Sequence, residues 1–554
     1  LPVIEKSKIH DQKTLMQKIS NATTHYDAVI IGAGFSGMYQ LLSLRDKLGL
    51  KTRVLEAADG VGGTWYWNRY PGARCDSESH SYSYYFSKEL LSEWNWTERY
   101  PEQSEVLRYL NHVADRFDLR RDIQLNTRVQ SARYDEAANR WTVTTEGGET
   151  LRCTYFITAV GCLSSANVPN IDGLNDFGGD WYHTGQWPHE GVDFNGKHVG
   201  VVGTGSTGIQ AIPVIAAQAK YLTVFQRTAN YSIPARNAPL TEEFKRYAKE
   251  HANDIHVIMN SNTNAHPFYI KSRSVFDVSD DEREQIFEAA WAKGGLAFRA
   301  EFSDTLLNAR ANKLVADFIR RKIRAIVKDE TTAELLADID HPFAAKRPPV
   351  DSHYFETYNL PHVDLVNIRK YPIERITTTG IKTTEKDYPL DIIVFATGFD
   401  AMTGSLLKID IEGRKALKLR DAWHAGPRNY LGLQVPGFPN MFTVTGPGSP
   451  SVLCNMPPAI EHHVDWITDC IAHMRARGVQ RIEADDEAAD DWVLEVNQAA
   501  NATLLPSATH SWYLGANVPG KPRVFMPYAG GFAKYRKIVE EKTQAGYQGF
   551  RLGS

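Results

Sequence analysis

Two Gly-x-Gly-x-x-Gly patterns offer the first chemistry in this chain: Gly32, Gly34 and Gly37 after YDAVII, and Gly203, Gly205 and Gly208 after KHVGVV. In each, a predicted strand turns sharply into a predicted helix. The backbone amides of such a turn, with Thr204 and Ser206 in the second one, can cradle a pyrophosphate at the helix N-terminus. The two patterns differ at one decisive position. Glu56 stands 24 residues after Gly32, at the end of the next predicted strand, where a carboxylate accepts hydrogen bonds from ribose hydroxyls. Arg227 stands 24 residues after Gly203. Most arginines are solvated surface charges, but a guanidinium at this strand end can grip a 2′-phosphate that a carboxylate would repel. The second half is therefore expected to take NADP(H). A ribose-binding half beside an NADP(H) half suits a flavoprotein fed by NADPH, with FAD the economical acceptor.

Two longer patterns narrow the reaction. Residues 62–76 read GGTWYWNRYPGARCD, the pattern GGxWxxxxYPGxxxD, which contains Gly63, Thr64, Trp65 and Asp76. Residues 177–188 read FGGDWYHTGQWP, the pattern FxGxxxHxxxWP, with Phe177, Gly179, His183, Trp187 and Pro188 at its fixed positions. With these patterns beside the two glycine turns, the chain closely resembles the type I Baeyer–Villiger monooxygenases from about Tyr26 to Phe550.

That resemblance implies an FAD- and NADPH-dependent enzyme that converts ketones to esters or lactones with dioxygen, through a peroxyflavin. It implies that Arg347 is the active-site arginine, since a guanidinium that stays charged can stabilise a peroxide and a developing oxyanion. Asp76 would position it. Lys346 would join Arg227 on the 2′-phosphate, and Trp512 would close over the nicotinamide or substrate. Phe177, Gly179, His183, Trp187 and Pro188 would couple cofactor binding to domain movement, with His183 in a structural role. Ser451, Val452 and Leu453 would line the ketone pocket. Cys162 departs from the glutamine found near the nicotinamide ribose in many relatives. The related alternatives are a flavin-containing monooxygenase acting on nitrogen or sulfur and an uncoupled NADPH oxidase-like flavoprotein. A flavin disulfide reductase would need a close redox cysteine pair, and Cys75, Cys153, Cys162, Cys454 and Cys470 supply none. A silent NADP sensor would be expected to lack Arg347.

The elements that must position these residues predict an α/β fold: two Rossmann-like dinucleotide-binding domains, for FAD and NADP, with a helical insertion. The expected boundaries are 1–155 for the first part of the FAD domain and 156–238 for the first part of the NADP domain with its linker motif. The insertion takes 239–342, the second part of the NADP domain 343–396, and the second part of the FAD domain 397–554. Segments 122–134 and 141–159 alternate apolar and polar residues as antiparallel strands do. Ser279 with Glu282 forms a capping-box pattern inside the insertion. HVDLV (362–366) and DIIVFATGF (391–399) read as strands, 459–476 and 485–504 as helices, and 511–532 as a loop folded over a site.

Composition sets the limits. The 554 residues include 42% hydrophobic and 23% charged, enough for several compact domains. A net charge of −4 without a dense basic run argues against nucleic acid. No apolar stretch is long enough to cross a membrane, and Leu1 to His10 lacks the apolar core of a secretory signal, so a cytoplasmic protein is expected. On that expectation the sequons at Asn21, Asn95, Asn230 and Asn501 are coincidental. The scattered cysteines suit neither a disulfide framework nor a metal site. The expected partners are a small ketone and dioxygen, and the sequence leaves the oligomeric state open.

Overall fold

The Val- and Ile-rich run before the first glycine turn forms β1 (Thr24–Ile31), whose last four residues are all buried, as a strand covered on both faces requires. A computed structural model describes residues 24–553. The stretch read for a signal and the Asn21 sequon lie outside them. Next in the first sheet come β2 (Thr52–Leu55), β3 (Ile123–Gln124), β4 (Val129–Asp135), β5 (Arg140–Thr145) and β6 (Thr150–Thr158). The sheet runs from strand Asp410–Glu412 through β4, β5, β6, β1, β2 and β3, with Met441–Thr443 beside β6. β1 is parallel to β2 and β6, whereas β4, β5 and β6 form an antiparallel meander.

Segment 122–134, expected to be antiparallel throughout, divides into β3, parallel to β2, and β4, antiparallel to β5. Asn126 takes φ +52° and donates its N–H to Ala58 O at 2.8 Å, which turns the chain between β3 and β4. β6 continues to Thr158 in register with Ile31, so the first sheet keeps the chain past residue 155, where the second domain was expected to begin.

The second sheet contains β7 (Asp180–His183), β8 (His198–Val202) and β9 (Tyr221–Gln226). Its five parallel strands lie in the order Val363–Asn367, β9, β8, Ile392–Phe395, β7. The linker pattern thus supplies an edge strand, which its polar sequence concealed. A side chain at Gly179, just before β7, would collide with Asp391 O.

The insertion is helical, with helices Glu242–Glu250, Ala252–Ser261, Asp280–Lys293, Ala309–Ile326 and Glu330–Ala337. The Ser279 hydroxyl accepts from the Glu282 N–H at 3.2 Å, as the capping pattern predicts. Its neck is a two-strand parallel pair, Ile233–Pro234 with Val350–Asp351, so the chain leaves and returns at one place. Phe287, Trp291, Phe298 and Phe318 share a buried core with Val199, Ile212 and Leu222, which seats the insertion on the second sheet.

The helix Met456–Ala476 packs on the first glycine-turn helix, Phe35–Leu42, through Gln40 Nε2 to Thr468 Oγ1 (3.2 Å) and Tyr39 OH to Asp465 Oδ1 (2.7 Å). A helix also forms at Asp486–Asn501, and the 511–532 segment runs directly into another, Phe532–Gln544. Among the described residues no helix is long and apolar enough to cross a membrane, and all five cysteines are free.

Candidate active site and cofactor clefts

In the first turn the glycines answer to backbone crowding. Gly32 has φ +99°, and a Cβ there would lie 2.6 Å from Ala159 O, while one on Gly37 would collide with Gly32 O. Gly34 faces the start of the second pattern: a Cβ on Gly63 would come within 2.9 Å of Gly34 Cα, and Gly62 N–H donates to Ala33 O at 3.0 Å. Glu56, at the end of β2, is buried. Its Oε2 accepts from Ala33 N–H at 2.7 Å and its Oε1 from Ala58 N–H at 2.9 Å. Burial pushes its pKa up while these amide bonds pull it back. The carboxylate therefore braces the turn, and each oxygen keeps a lone pair for a ribose hydroxyl. Thr64 is exposed beside the turn, and Trp65 is buried with its Nε1–H on Tyr82 OH at 3.2 Å.

The second turn is built alike. Gly203 has φ +114° and a Cβ there would sit 2.5 Å from Ala396 O, while one on Gly208 would strike Gly203 O. Thr204 Oγ1 donates to Thr228 O at 2.8 Å. Gly205 and Ser206 are exposed at the start of helix Ser206–Ala216, and nothing lies within 4 Å of a Cβ on Gly205. A phosphate can approach there. Arg227 is exposed at the end of β9. Burial lowers the pKa of Lys346, and Arg227 and Arg369 lower it further against the pull of Asp340. Three cations therefore gather at this strand end, the right charge for a 2′-phosphate. Arg369, whose Nη2 also donates to Thr228 Oγ1 at 3.1 Å and Asp340 Oδ2 at 2.6 Å, carries no sequence signal because it lies far from either pattern.

The segment from Gly62 to Asp76 spans both clefts. Its beginning lies on the first turn, and its middle lies on the second helix: Tyr70 OH donates to Gln210 Oε1 at 2.8 Å, and Gln210 Nε2 donates to Arg74 O at 3.0 Å. A side chain at Gly72, whose φ is +80°, would strike Gln210 O. Its end brings Asp76 to Arg347. Arg347 Nε donates to Asp76 Oδ2 at 2.8 Å and Nη2 to Oδ1 at 2.9 Å, a two-point fork. Nη2 also reaches Ser77 Oγ (3.3 Å), Nη1 reaches Val452 O (3.3 Å), and the Arg347 N–H donates to Tyr513 OH (3.2 Å). Pro348 and Pro349 hold the chain extended into the neck pair, where Ile233 N–H donates to Pro349 O at 3.0 Å. Burial opposes the charge on Arg347, but Asp76 outweighs it and raises the pKa above its ordinary value.

Val452, Leu453, Cys162, Trp512 and Tyr513 belong to one apolar cluster with Ala401, Met402, Phe525 and Met526. Ser451 is fully buried at φ +42°, its hydroxyl turned to Met402 Sδ at 3.9 Å. Of the three expected pocket residues, Val452 thus reaches Arg347 directly, through its carbonyl. Trp512 is half-buried with its ring centroid 4.4 Å from that of Tyr513. Tyr513 itself, missed in the sequence because nothing distinguishes it from its neighbours, is the residue of this loop that touches Arg347.

In the linker pattern, His183 is buried and its Nδ1 accepts from Gly185 N–H at 3.0 Å. Burial lowers its pKa to about 4 against the pull of nearby backbone groups, so the ring is neutral and weakly basic at neutral pH. Trp187 is buried between Tyr182 and Phe194, at 5.5 and 6.2 Å between centroids. Pro188 lines a cleft of about 760 Å³ with Trp187, Arg69, Gln103 and Arg108. Phe177 packs half-buried under the second sheet with Ile376 and Ile393.

Comparisons with known proteins agree with this layout. Residues 26–236 match the family model described as flavin-binding monooxygenase-like. A Baeyer–Villiger monooxygenase of Pseudooceanicola batsensis is 43% identical over 94% of this chain and 95% of its own length. A phenazine N-monooxygenase of Lysobacter antibioticus is 43% identical over 97% and 98%. A solved structure of oxidized steroid monooxygenase bound to NADP has a TM-score of 0.91 and 52% identity, covering 96% of this chain and all of that one. With two dinucleotide clefts bridged by one segment, and relatives matched over nearly their whole length, this chain belongs to the Baeyer–Villiger monooxygenases of the flavin-binding monooxygenase-like family.

Proposed function

We propose that the protein is an FAD- and NADPH-dependent Baeyer–Villiger monooxygenase that inserts one atom of dioxygen beside a ketone carbonyl, giving an ester or lactone. The observation that carries this reading is the Arg347–Asp76 fork, at the end of the segment that spans both cofactor clefts. The first cleft fits FAD: its glycine turn leads into the N-terminus of helix Phe35–Leu42, as a pyrophosphate site requires, and Glu56 retains acceptor capacity for a ribose. The second fits NADPH through the open N-terminus at Gly205 and the cations Arg227, Lys346 and Arg369. When bound and reduced by NADPH, FAD would supply the activation of dioxygen.

The chain's own residues supply orientation and charge. Arg347 stays protonated at every working pH, so its guanidinium can stabilise negative charge as it develops on the ketone oxygen. Asp76 fixes the plane of that guanidinium without removing its charge. Tyr513 and Val452 hold the arginine against an apolar cluster, where water is scarce and the electrostatic interaction is strong.

A second reading, oxygenation of nitrogen or sulfur, is favoured by the Lysobacter antibioticus relative, which is as similar as the ketone enzyme compared with it. One experiment separates them. The yellow protein is incubated with NADPH, isotopically labelled dioxygen and a panel of linear, cyclic and aryl ketones, thioethers and aromatic amines. Labelled esters or lactones are expected; labelled sulfoxides or N-oxides alone would favour the second reading, and hydrogen peroxide alone would contradict both.

A further inference from the structure

A second guanidinium lies within electrostatic reach of the first, and the reaction as proposed does not use it. Arg299 belongs to the short turn Leu296–Ala300 of the insertion. That turn is pinned to the same neck that positions Arg347: Gly295 N–H donates to Pro234 O at 2.9 Å, on the strand that pairs with Val350–Asp351. Arg299 is half-buried, and its Nε and Nη2 are shut off from solvent with no hydrogen-bond partner among the described residues. The groups that act on it electrostatically include Arg347, Asp76, Tyr513 and Cys454. Asp76 is the one carboxylate among them, and both its oxygens already accept from Arg347, with no bond to Arg299 among the described residues. Burial keeps the Tyr513 phenol and the Cys454 thiol protonated at neutral pH, with pKa values pushed up to about 12, so neither is a counter-ion. Arg299 itself, lowered to about 10 by burial and then by Arg347, remains charged. His266, buried close enough to feel both arginines, also has an Nε2 without a partner among the described residues.

An unpaired buried cation is costly to keep, and such cost is characteristic of a binding site. Two features place its missing partner on the substrate. Arg299 comes from the insertion rather than from either dinucleotide fold, and Leu296 at the head of its turn shares a buried cluster with Val350, on the strand that Arg347 leads into. Resting on the ketone-oxygenase reading, we propose that Arg299 is a substrate-binding residue for an anionic group, so that the preferred ketone carries a carboxylate. The carboxylate would pair with Arg299 while the ketone oxygen approaches Arg347. A fork of N–H donors suits a carboxylate in particular.

The test uses the FAD-loaded protein, NADPH and air with matched pairs: para-acetylbenzoate with para-methylacetophenone, and levulinate with methyl propyl ketone. Wild type is expected to favour the acid of at least one pair in kcat/KM for ester formation. Arg299→Met, which keeps bulk and removes charge, should lower the acid-to-neutral ratio about 30-fold or more, chiefly through KM, and Arg299→Lys should restore part of it. Bound flavin and the KM for NADPH are measured in each variant. Wild type favouring the neutral ketone in both pairs, or an equal loss on acid and neutral ketone in Arg299→Met, would overturn the proposal and leave the ketone-oxygenase reading standing. A raised KM for NADPH or lost flavin with an unchanged ratio would overturn it in favour of a cofactor role. Flavin that is reduced without forming ester from any of these ketones would contradict both readings.

Discussion

Arg347 and Asp76 are 271 residues apart in the chain, and their fork is the contact on which the proposed chemistry turns. Asp76→Asn should leave flavin reduction by NADPH intact but cut ester formation by about 100-fold, because the guanidinium loses its fixed plane. It should also cost about 3 kcal/mol in unfolding, since Arg347 is left buried without its counter-ion. Both are read on one protein, by product analysis and by denaturant titration. At the other cleft, Arg227→Ala and Lys346→Ala should each raise the KM for NADPH about tenfold and leave that for NADH nearly unchanged. A parallel rise for both nucleotides would remove the cations from the 2′-phosphate. Asp76 and Arg227 were legible in the sequence because one sits inside a long pattern and the other at a fixed distance from a glycine turn, whereas Arg347 and Lys346 were reached only through the family resemblance. Tyr513, Arg369 and Arg299 were not legible, because their place beside the site is made by tertiary packing alone.

At the scale of elements, the strand–turn–helix units were visible because buried parallel strands read as unbroken apolar runs ending in glycine. Edge strand β7 was hidden: DWYH is mostly exposed and lacks that signature. β3 and β4 merged in the sequence because the alternation continues across Asn126, where a left-handed φ interrupts the extended chain. Gly203→Ala should abolish tight NADPH binding and destabilise the protein by about 1–3 kcal/mol, since it meets both a left-handed φ and the Ala396 carbonyl. Calorimetric titration with NADP+ measures the first and thermal unfolding the second.

The helix Met456–Ala476 carries a pH-dependent load of its own. Glu461 accepts from Tyr85 N–H at 2.6 Å and Phe86 N–H at 3.0 Å, yet burial outweighs these bonds and raises its pKa from 4.5 to about 8. Between those values the unfolded chain binds fewer protons than the folded one, so this group makes stability fall as pH rises from about 4.5 to about 8. Glu461→Gln should flatten that part of the profile, measured by unfolding at a series of pH values. An unchanged slope would mean that Glu461 ionises in the folded protein as it does in the unfolded chain.

Across the whole molecule, two dinucleotide folds and an insertion meet along the Gly62–Asp76 segment and the neck beside Arg347. The insertion's helices were evident from their capping and composition, but its shared core with the second sheet was not, since Phe287, Trp291 and Phe298 carry no mark of what they pack against. Gln210 is the hinge of this contact, joined to Tyr70 and Arg74. Gln210→Ala removes bonds worth about 1 kcal/mol each, a small loss for a protein of this size. Its larger effect should be kinetic: flavin reduction by NADPH should slow severalfold while FAD remains bound. Stopped-flow absorbance checks this, and an unchanged rate would show that the two clefts keep their register without Gln210.

Arg347 is expected to act on oxygen transfer to the ketone and not on delivery of electrons to the flavin. The most direct test is a single turnover of Arg347→Ala: the flavin is reduced by NADPH without air, then mixed with oxygenated buffer and ketone, and ester formed per flavin reduced is counted. Reduction at close to the wild-type rate with almost no ester is the predicted result. Ester in wild-type yield would contradict that role, because the fork with Asp76 would then have no part in the reaction.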